Sequence, residues 1–316
     1  MRDSLSRRLR QGVKNLMADK GIQGAGFQSV SRAKSRGGLQ SSCTERRNLE
    51  GRNVMSKAAV NGIEIYYEVS GKGDPVMLIT GLGGAGASWG PQIPLFAKEF
   101  LTIVPDHRGA GQSSHPEGGY TIEQLASDMA QLLQGLGCGP AHIVGSSTGG
   151  AIAMVMALDH PEVVRSIVVV SSWGKTDDFF RRQFEVRKRA LLDSGVRAYT
   201  EASSIFLWAP SFMREHNEVV QGWIDAISSK PANPEVMAKR IDMIVAHDQM
   251  GRLGRIQKPT LVIVGKEDLC TPPYLSMELA KPIAGAELAI LNGGHFFYLE
   301  NPRAFHRRVR KFLLKH

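Results

Sequence analysis

Serines set between glycines are the residues best placed to do chemistry in this chain. Gly-x-Ser-x-Gly occurs twice, as Gly86-Ala87-Ser88-Trp89-Gly90 and as Gly145-Ser146-Ser147-Thr148-Gly149. That spacing suits a sharp strand-to-helix turn that presents a serine hydroxyl, with glycines where a side chain would strike backbone. Context separates the two. The second motif follows the apolar run Ala141-His142-Ile143-Val144 and opens the small-residue helix pattern Gly149-Gly150-Ala151-Ile152-Ala153-Met154. The first follows Gly81-Leu82-Gly83-Gly84-Ala85, which is no strand, and runs into Gly90-Pro91. Ser147 is therefore the expected nucleophile, and Ser88 reads as a loop residue near the pocket.

A serine hydroxyl needs a general base, and the base needs a group to orient it. Among nine histidines, His295 is favoured. It stands in Gly293-Gly294-His295-Phe296-Phe297, between the last strand pattern and the final helix, at the sheet edge where such sites form. His107, in Asp106-His107-Arg108-Gly109, is the rival and reads as part of a tight structural turn. His142 opens a strand. The other six are expected in solvated settings. Asp268 follows the strand pattern Thr260–Val264 and completes the order Ser147, Asp268, His295; Glu267 is its neighbour and rival. A developing oxyanion needs backbone donors, for which the N–H groups of Thr148 and Leu82 are the candidates. The Gly81–Gly84 loop lacks the Lys-Ser/Thr of a phosphate cradle.

These residues require a particular scaffold. Ile63–Val69 alternates like a half-exposed strand after an Asn61-Gly62 hairpin turn. Pro75–Thr80, Leu101–Val104, Ala141–Val144, Ser166–Val170, Thr260–Val264 and Glu287–Leu291 read as further strands, several apolar throughout as in a sheet buried on both faces. Helix patterns fall at 121–136, with Thr121 as N-cap, at 148–159, near 275–283 and from about 301. Alternation of this kind predicts a mostly parallel sheet flanked by helices. Residues 175–250 depart from it, being helical, charged and aromatic, and read as an inserted cap.

With these motifs in order, the chain resembles the α/β-hydrolase family over about residues 58–314. The resemblance rests on Gly81-Leu82-Gly83-Gly84, Asp106-His107-Arg108-Gly109-Ala110-Gly111-Gln112-Ser113, Gly145-Ser146-Ser147-Thr148-Gly149, Asp268 and Gly293-Gly294-His295. Within the family it is most similar to small lactonases and esterases such as 3-oxoadipate enol-lactonase and aminoacrylate hydrolase. Many members carry His before the oxyanion glycine, where this chain has Thr80. The resemblance implies an α/β-hydrolase fold and a cofactor-free, metal-free serine hydrolase acting on a small or medium ester or lactone. An amidase or carbon–carbon hydrolase on the same triad is the alternative, and a ligand-binding module without turnover is the alternative of another class. Trp89, Trp173, Phe206, Trp208 and Phe296 are candidates to line the pocket, with ordinary cap core as the competing assignment. Arg181, Arg182 and Arg187 read as a solvated helix face.

Composition sets the remaining limits. The 316 residues carry 39 Lys+Arg and 30 Asp+Glu. Residues 1–54 hold 12 basic and 4 acidic side chains, so 12 − 4 = +8, and the rest 27 − 26 = +1. The body is nearly neutral, which gives no reason to expect a nucleic-acid partner. No apolar run reaches the ~20 residues of a membrane helix. Three cysteines, odd in number and far apart, argue against a disulfide scaffold and mildly for a reducing, cytoplasmic setting. A small-molecule substrate is the expected partner, and homo-oligomerisation is compatible with the pattern. Residues 1–54 read as a disordered or poorly structured basic extension ahead of a hydrolase domain at 55–316. Leu5, Leu9, Val13, Leu16 and Met17 lie near one helical face. The extension could thus also be a mitochondrial transit peptide or a surface-binding arm.

Overall fold

A computed structural model describes residues 54–230 and 232–316. The expectations for the basic extension, its amphipathic start included, lie outside the described residues except at Val54. That residue is the first of β1 (Val54–Val60) and pairs with Val69, so the sheet begins one residue earlier than the boundary at 55. The turn at Asn61 (φ 47°) and Gly62 (φ 76°) takes two successive positive φ values. These match the strand twist and send the chain into β2 (Ile63–Ser70).

The sheet continues with β3 (Asp74–Ile79), β4 (Phe100–Pro105), β5 (Ala141–Ser146), β6 (Val164–Val170), β7 (Thr260–Gly265) and β8 (Glu287–Leu291). Its order is β1-β2-β4-β3-β5-β6-β7-β8; β1–β2 and β2–β4 are antiparallel and every other pairing is parallel. β2 does not alternate as its sequence suggests, because Ile65, Tyr66 and Tyr67 are all buried. Its Tyr66 N–H donates to Ser113 Oγ (2.9 Å), so the loop after β4 covers the strand. β4 and β5 are buried at every position and β7 likewise, as apolar runs require when helices cover both faces.

Two helices pack against each other over one face of the sheet. α1 (Ile122–Leu136) starts where Thr121 Oγ1 accepts from Gln124 N–H (3.0 Å) and stops at Gly137 in the left-handed region. α2 (Thr148–Asp159) is buried from Thr148 to Ala157, as its small residues permit. Between β6 and β7 comes a helical insertion: α3 (Asp178–Leu207, broken at Gly195), α4 (Pro210–Glu215), α5 (Asn217–Ser228) and α6 (Pro234–Ala246). Both α5 and α6 pack on α3. α7 (Pro273–Ala280) and α8 (Pro302–Leu313) complete the flanks.

A buried ion pair locks the loop after β4 to α1. Arg108 Nε and Nη2 donate to the two oxygens of Asp128 (2.7 and 2.8 Å), and Asn61 Nδ2 from the hairpin turn reaches the same carboxylate (2.7 Å). Among the described residues no helix is long and apolar enough to cross a membrane.

Candidate active site

The serine turn is built by the crossing of β5 into α2. Ser147 has φ 55° and ψ −116°, a sparsely populated conformation for a residue with a side chain, which costs on the order of 1–3 kcal/mol. Surrounding bonds hold it there. Its N–H donates to Val170 O (2.8 Å), and its carbonyl accepts from Gly150 N–H and from Ser172 Oγ (2.8 Å each). The flanking glycines are obligatory for packing. A Cβ at Gly145 would overlap the Gly149 carbonyl, and one at Gly149 would overlap the Ile79 carbonyl. Gly81 lies against the serine: a Cβ there would sit 3.2 Å from Ser147 Cβ and 3.8 Å from its Oγ.

Asp268 follows β7 and His295 follows β8. Asp268 Oδ2 accepts from His295 Nδ1 at 2.9 Å, with Oδ1 at 3.1 Å. The backbone N–H groups of Cys270 (2.9 Å) and Thr271 (2.8 Å) and the Thr271 hydroxyl (2.9 Å) fix the carboxylate. Both residues are almost fully buried. The pairing assigns the proton to Nδ1 and leaves the Nε2 lone pair free of these contacts. Glu267, the rival acid, accepts instead from Ser211 Oγ (2.7 Å) in α4 of the insertion.

The loop after β3 closes a turn, with Gly84 N–H on Gly81 O (3.0 Å), and places Leu82 at its first central position. Thr148 is the first residue of α2, where no intrahelical acceptor exists for its N–H. A strained serine on a strand-to-helix turn with a glycine loop beside it, and a buried Asp–His pair, thus follow the C-terminal ends of parallel strands, at the same edge of the sheet. Residues 74–302 match the family model of the alpha/beta hydrolase fold. The chain belongs to that family and is an α/β hydrolase.

The hydrolase is 38% identical over 250 residues to a protein of Azorhizobium caulinodans named "Putative carbamate hydrolase RutD", covering 79% of this chain and 94% of that one. Among solved structures it is similar to the enol-lactonase of Burkholderia xenovorans LB400, with 29% identity, a TM-score of 0.74, and 82% of this chain and all of that one covered. It is also similar to a thermophilic esterase of Thermogutta terrifontis, with 28% identity, a TM-score of 0.73, and coverage of 84% and 98%.

The rival residues of the hydrolase have other partners. Ser88 is exposed in a short 3₁₀ turn, its hydroxyl on Ala85 O (2.8 Å). His107 is fully buried, with Nδ1 3.1 Å from Arg240 Nη2, and burial together with that cation holds it well below the usual histidine range. His142 contacts Ser166 Oγ (2.7 Å) through Nδ1 and burial pushes it down to about 4. His247, expected in solvent, is buried edge-on against Trp173.

The aromatic candidates divide. Trp89 sits in core with Tyr298 (centroids 4.8 Å apart) and Phe305, on the sheet face of Val76, Leu78 and Val144; the lining assignment gives way there to packing. Trp173 is likewise fully buried, against Phe180 (4.8 Å). Trp208 stacks on Phe212 and meets Phe296 edge-on (5.3 Å), and Phe296 lies 5.9 Å from the His295 ring. Phe206 is half-buried beside Arg187. Arg187 itself corrects the solvated-face expectation that holds for Arg181 and Arg182. Its guanidinium is buried over the Phe184 ring (4.4 Å) and donates to Ser203 Oγ (3.0 Å).

Besides Asp128, two charged residues buried between the insertion and the loops of this sheet edge escaped sequence reasoning: Arg240 and Glu300. Neither belongs to a motif, and both residue types are ordinarily solvated. Glu300 is 3% exposed. Its carboxylate accepts from Ala209 N–H (3.0 Å) and from Gly294 N–H (3.1 Å), tying the insertion to the residue before His295. Among the described residues no group of three or more His, Cys, Asp or Glu is arranged to hold a metal ion.

Burial pushes the Glu300 carboxyl up to about 7 from its ordinary value of 4.5. The folded chain therefore binds more protons than the unfolded one between these values. Stability contributed by this group falls as pH rises from ~4.5 to ~7, by about 2–3 kcal/mol in all. Glu300→Gln removes the titration. Its melting temperature relative to the parent should rise by roughly 5 °C between pH 5 and pH 8. A pH-independent difference would refute the assignment.

Proposed function

We propose that the hydrolase cleaves a small or medium carboxylic ester or lactone through a covalent acyl-enzyme on Ser147. The observation that carries this reading is the buried Asp268–His295 pair on the same sheet edge as a strained serine. Asp268 holds Nδ1–H and so leaves Nε2 as the base. Ser147 Oγ attacks the carbonyl carbon while its proton passes to Nε2. The carbonyl oxygen becomes an oxyanion received by the N–H groups of Leu82 and Thr148, the second reinforced by the N-terminal end of α2. Collapse expels the alcohol oxygen, which takes the proton back from Nε2. In a lactone that oxygen stays tethered to the acyl chain. Water then attacks the acyl-enzyme with Nε2 again as base, releasing the acid and restoring Ser147.

Several features support a covered pocket for a molecule of modest size. The insertion acts as a cap. It places Trp208 against Phe296, next to His295, and fastens Ala209 to the His295 loop through Glu300. The enol-lactonase and esterase likenesses agree with an ester or lactone. The carbamate hydrolase name of the 38% identical relative favours one second reading, a carbamate or amide bond broken by the same addition and collapse.

Ser147→Ala should lower kcat for p-nitrophenyl acetate by ~10⁴–10⁶, as in other serine triads. Asp268→Asn should lower it by about 10⁴ through the wrong imidazole tautomer. Ser88→Ala should leave it within about twofold, given that hydroxyl's local partner. Steady-state assays on the three purified variants decide, and a folded Ser147→Ala with parental activity would overturn the reading. A panel of lactones, esters and carbamates compared by kcat/KM separates the two bond types.

A further inference from the structure

Arg240 projects from α6, far along the chain from the serine turn, yet it grips the loop that touches Ser147. It is 1% exposed. Nε and Nη2 both donate to Leu82 O (3.1 and 2.8 Å), Nη1 donates to Arg108 O (2.7 Å), and Nη2 meets His107 Nδ1 (3.1 Å). A Cβ on Gly84 would lie 2.6 Å from Nη2, so the loop is shaped around the guanidinium. Among the described residues no carboxylate pairs with it; tyrosines 120 and 199 are the acidic groups that act on it, and burial lowers it to about 10. Burial and this guanidinium hold His107 beside it well below the usual histidine range.

Burying a cation without a counter-ion is costly, and an apolar side chain of similar size would fill the same space more cheaply. The charge and the planar fork together do two things that an apolar residue cannot. Two donors on the Leu82 carbonyl fix the plane of the Leu82–Gly83 peptide, and within the tight turn closed by Gly84 N–H on Gly81 O this restricts the preceding Gly81–Leu82 peptide, which carries the Leu82 N–H. An unpaired positive charge beside the loop also favours negative charge developing there.

We infer that Arg240 is a positioning residue for the oxyanion loop, holding the Leu82 amide in its working direction from the helical insertion. This rests on the reading of Leu82 as an oxyanion donor. It makes the insertion part of the catalytic apparatus and not only a cover, since displacement of α6 releases the loop.

The test uses the full chain with Arg240→Lys, which keeps a charge and loses the fork, and Arg240→Gln, which loses both. Two quantities are read: kcat and KM for p-nitrophenyl acetate, and hydrogen exchange of the amides at 81–84 by mass spectrometry. In Arg240→Lys, kcat should fall about 10- to 100-fold with KM within about threefold, on the scale of a disturbed oxyanion donor. Exchange at 81–84 should quicken while β5 and α2 stay protected. Arg240→Gln should be worse on both. The inference is overturned if a folded variant keeps parental kcat or parental exchange at 81–84, or if the loss lies wholly in KM. If Arg240→Gln does not fold, Arg240→Lys alone decides. Exchange needs no turnover. A parent chain inactive on esters would therefore sink the hydrolytic reading, while the exchange arm still settles whether Arg240 holds the loop.

Discussion

The site depends on one constraint, the close crossing of β5 into α2 with Ser147 in a conformation that side chains avoid. The helix must start immediately after the strand, and its first turn must pass over the end of β3. Only glycine permits this at 145 and 149, where a Cβ would strike the Gly149 and Ile79 carbonyls. Because β5 pairs with β3 on one side and β6 on the other, the strain is braced from both. Val170 accepts from the Ser147 N–H, and Ser172 Oγ donates to the Ser147 carbonyl. The glycine loop after β3 then has no other place to lie than beside the serine.

The remaining groups are set by strand order. Asp268 and His295 leave the adjacent parallel strands β7 and β8 at the same edge, so neighbouring loops bring carboxylate and imidazole together. Three donors from residues 270 and 271 hold the carboxylate, which restricts the imidazole to one orientation. Parallel strands make this possible, because every one of them ends on the same side.

The insertion between β6 and β7 is fastened to this edge by buried charges. Arg240 binds the loops after β3 and β4; Glu300 binds Ala209 to the His295 loop. Neither has an opposite charge as partner among the described residues. Backbone carbonyls solvate the one and backbone amides the other. Such contacts are directional where apolar packing is not, so they fix the angle of the insertion against the loops that carry Leu82 and His295. The same surroundings bury the His107 ring and set its Nδ1 against Arg240 Nη2 (3.1 Å), apart from the Asp268–His295 pairing.

Local sequence determined the elements and the order of the chemistry. The apolar runs, the Asn61-Gly62 turn, the Thr121 cap and the two glycine–serine motifs each carry their reason within a few residues. Ser147, Asp268 and His295 could be singled out because each follows a strand pattern. The contact of Asp268 with His295 needed the sheet: only the pairing of β7 with β8 brings residues 27 positions apart to 2.9 Å. Trp89 and Trp173 look like pocket residues in sequence because aromatic side chains suit both core and ligand, and only packing tells these apart. Arg187, Arg240 and Glu300 were illegible for the opposite reason. Charged residues on helices default to solvent, and their burial here follows from where the insertion folds back onto the sheet edge, which no local pattern encodes.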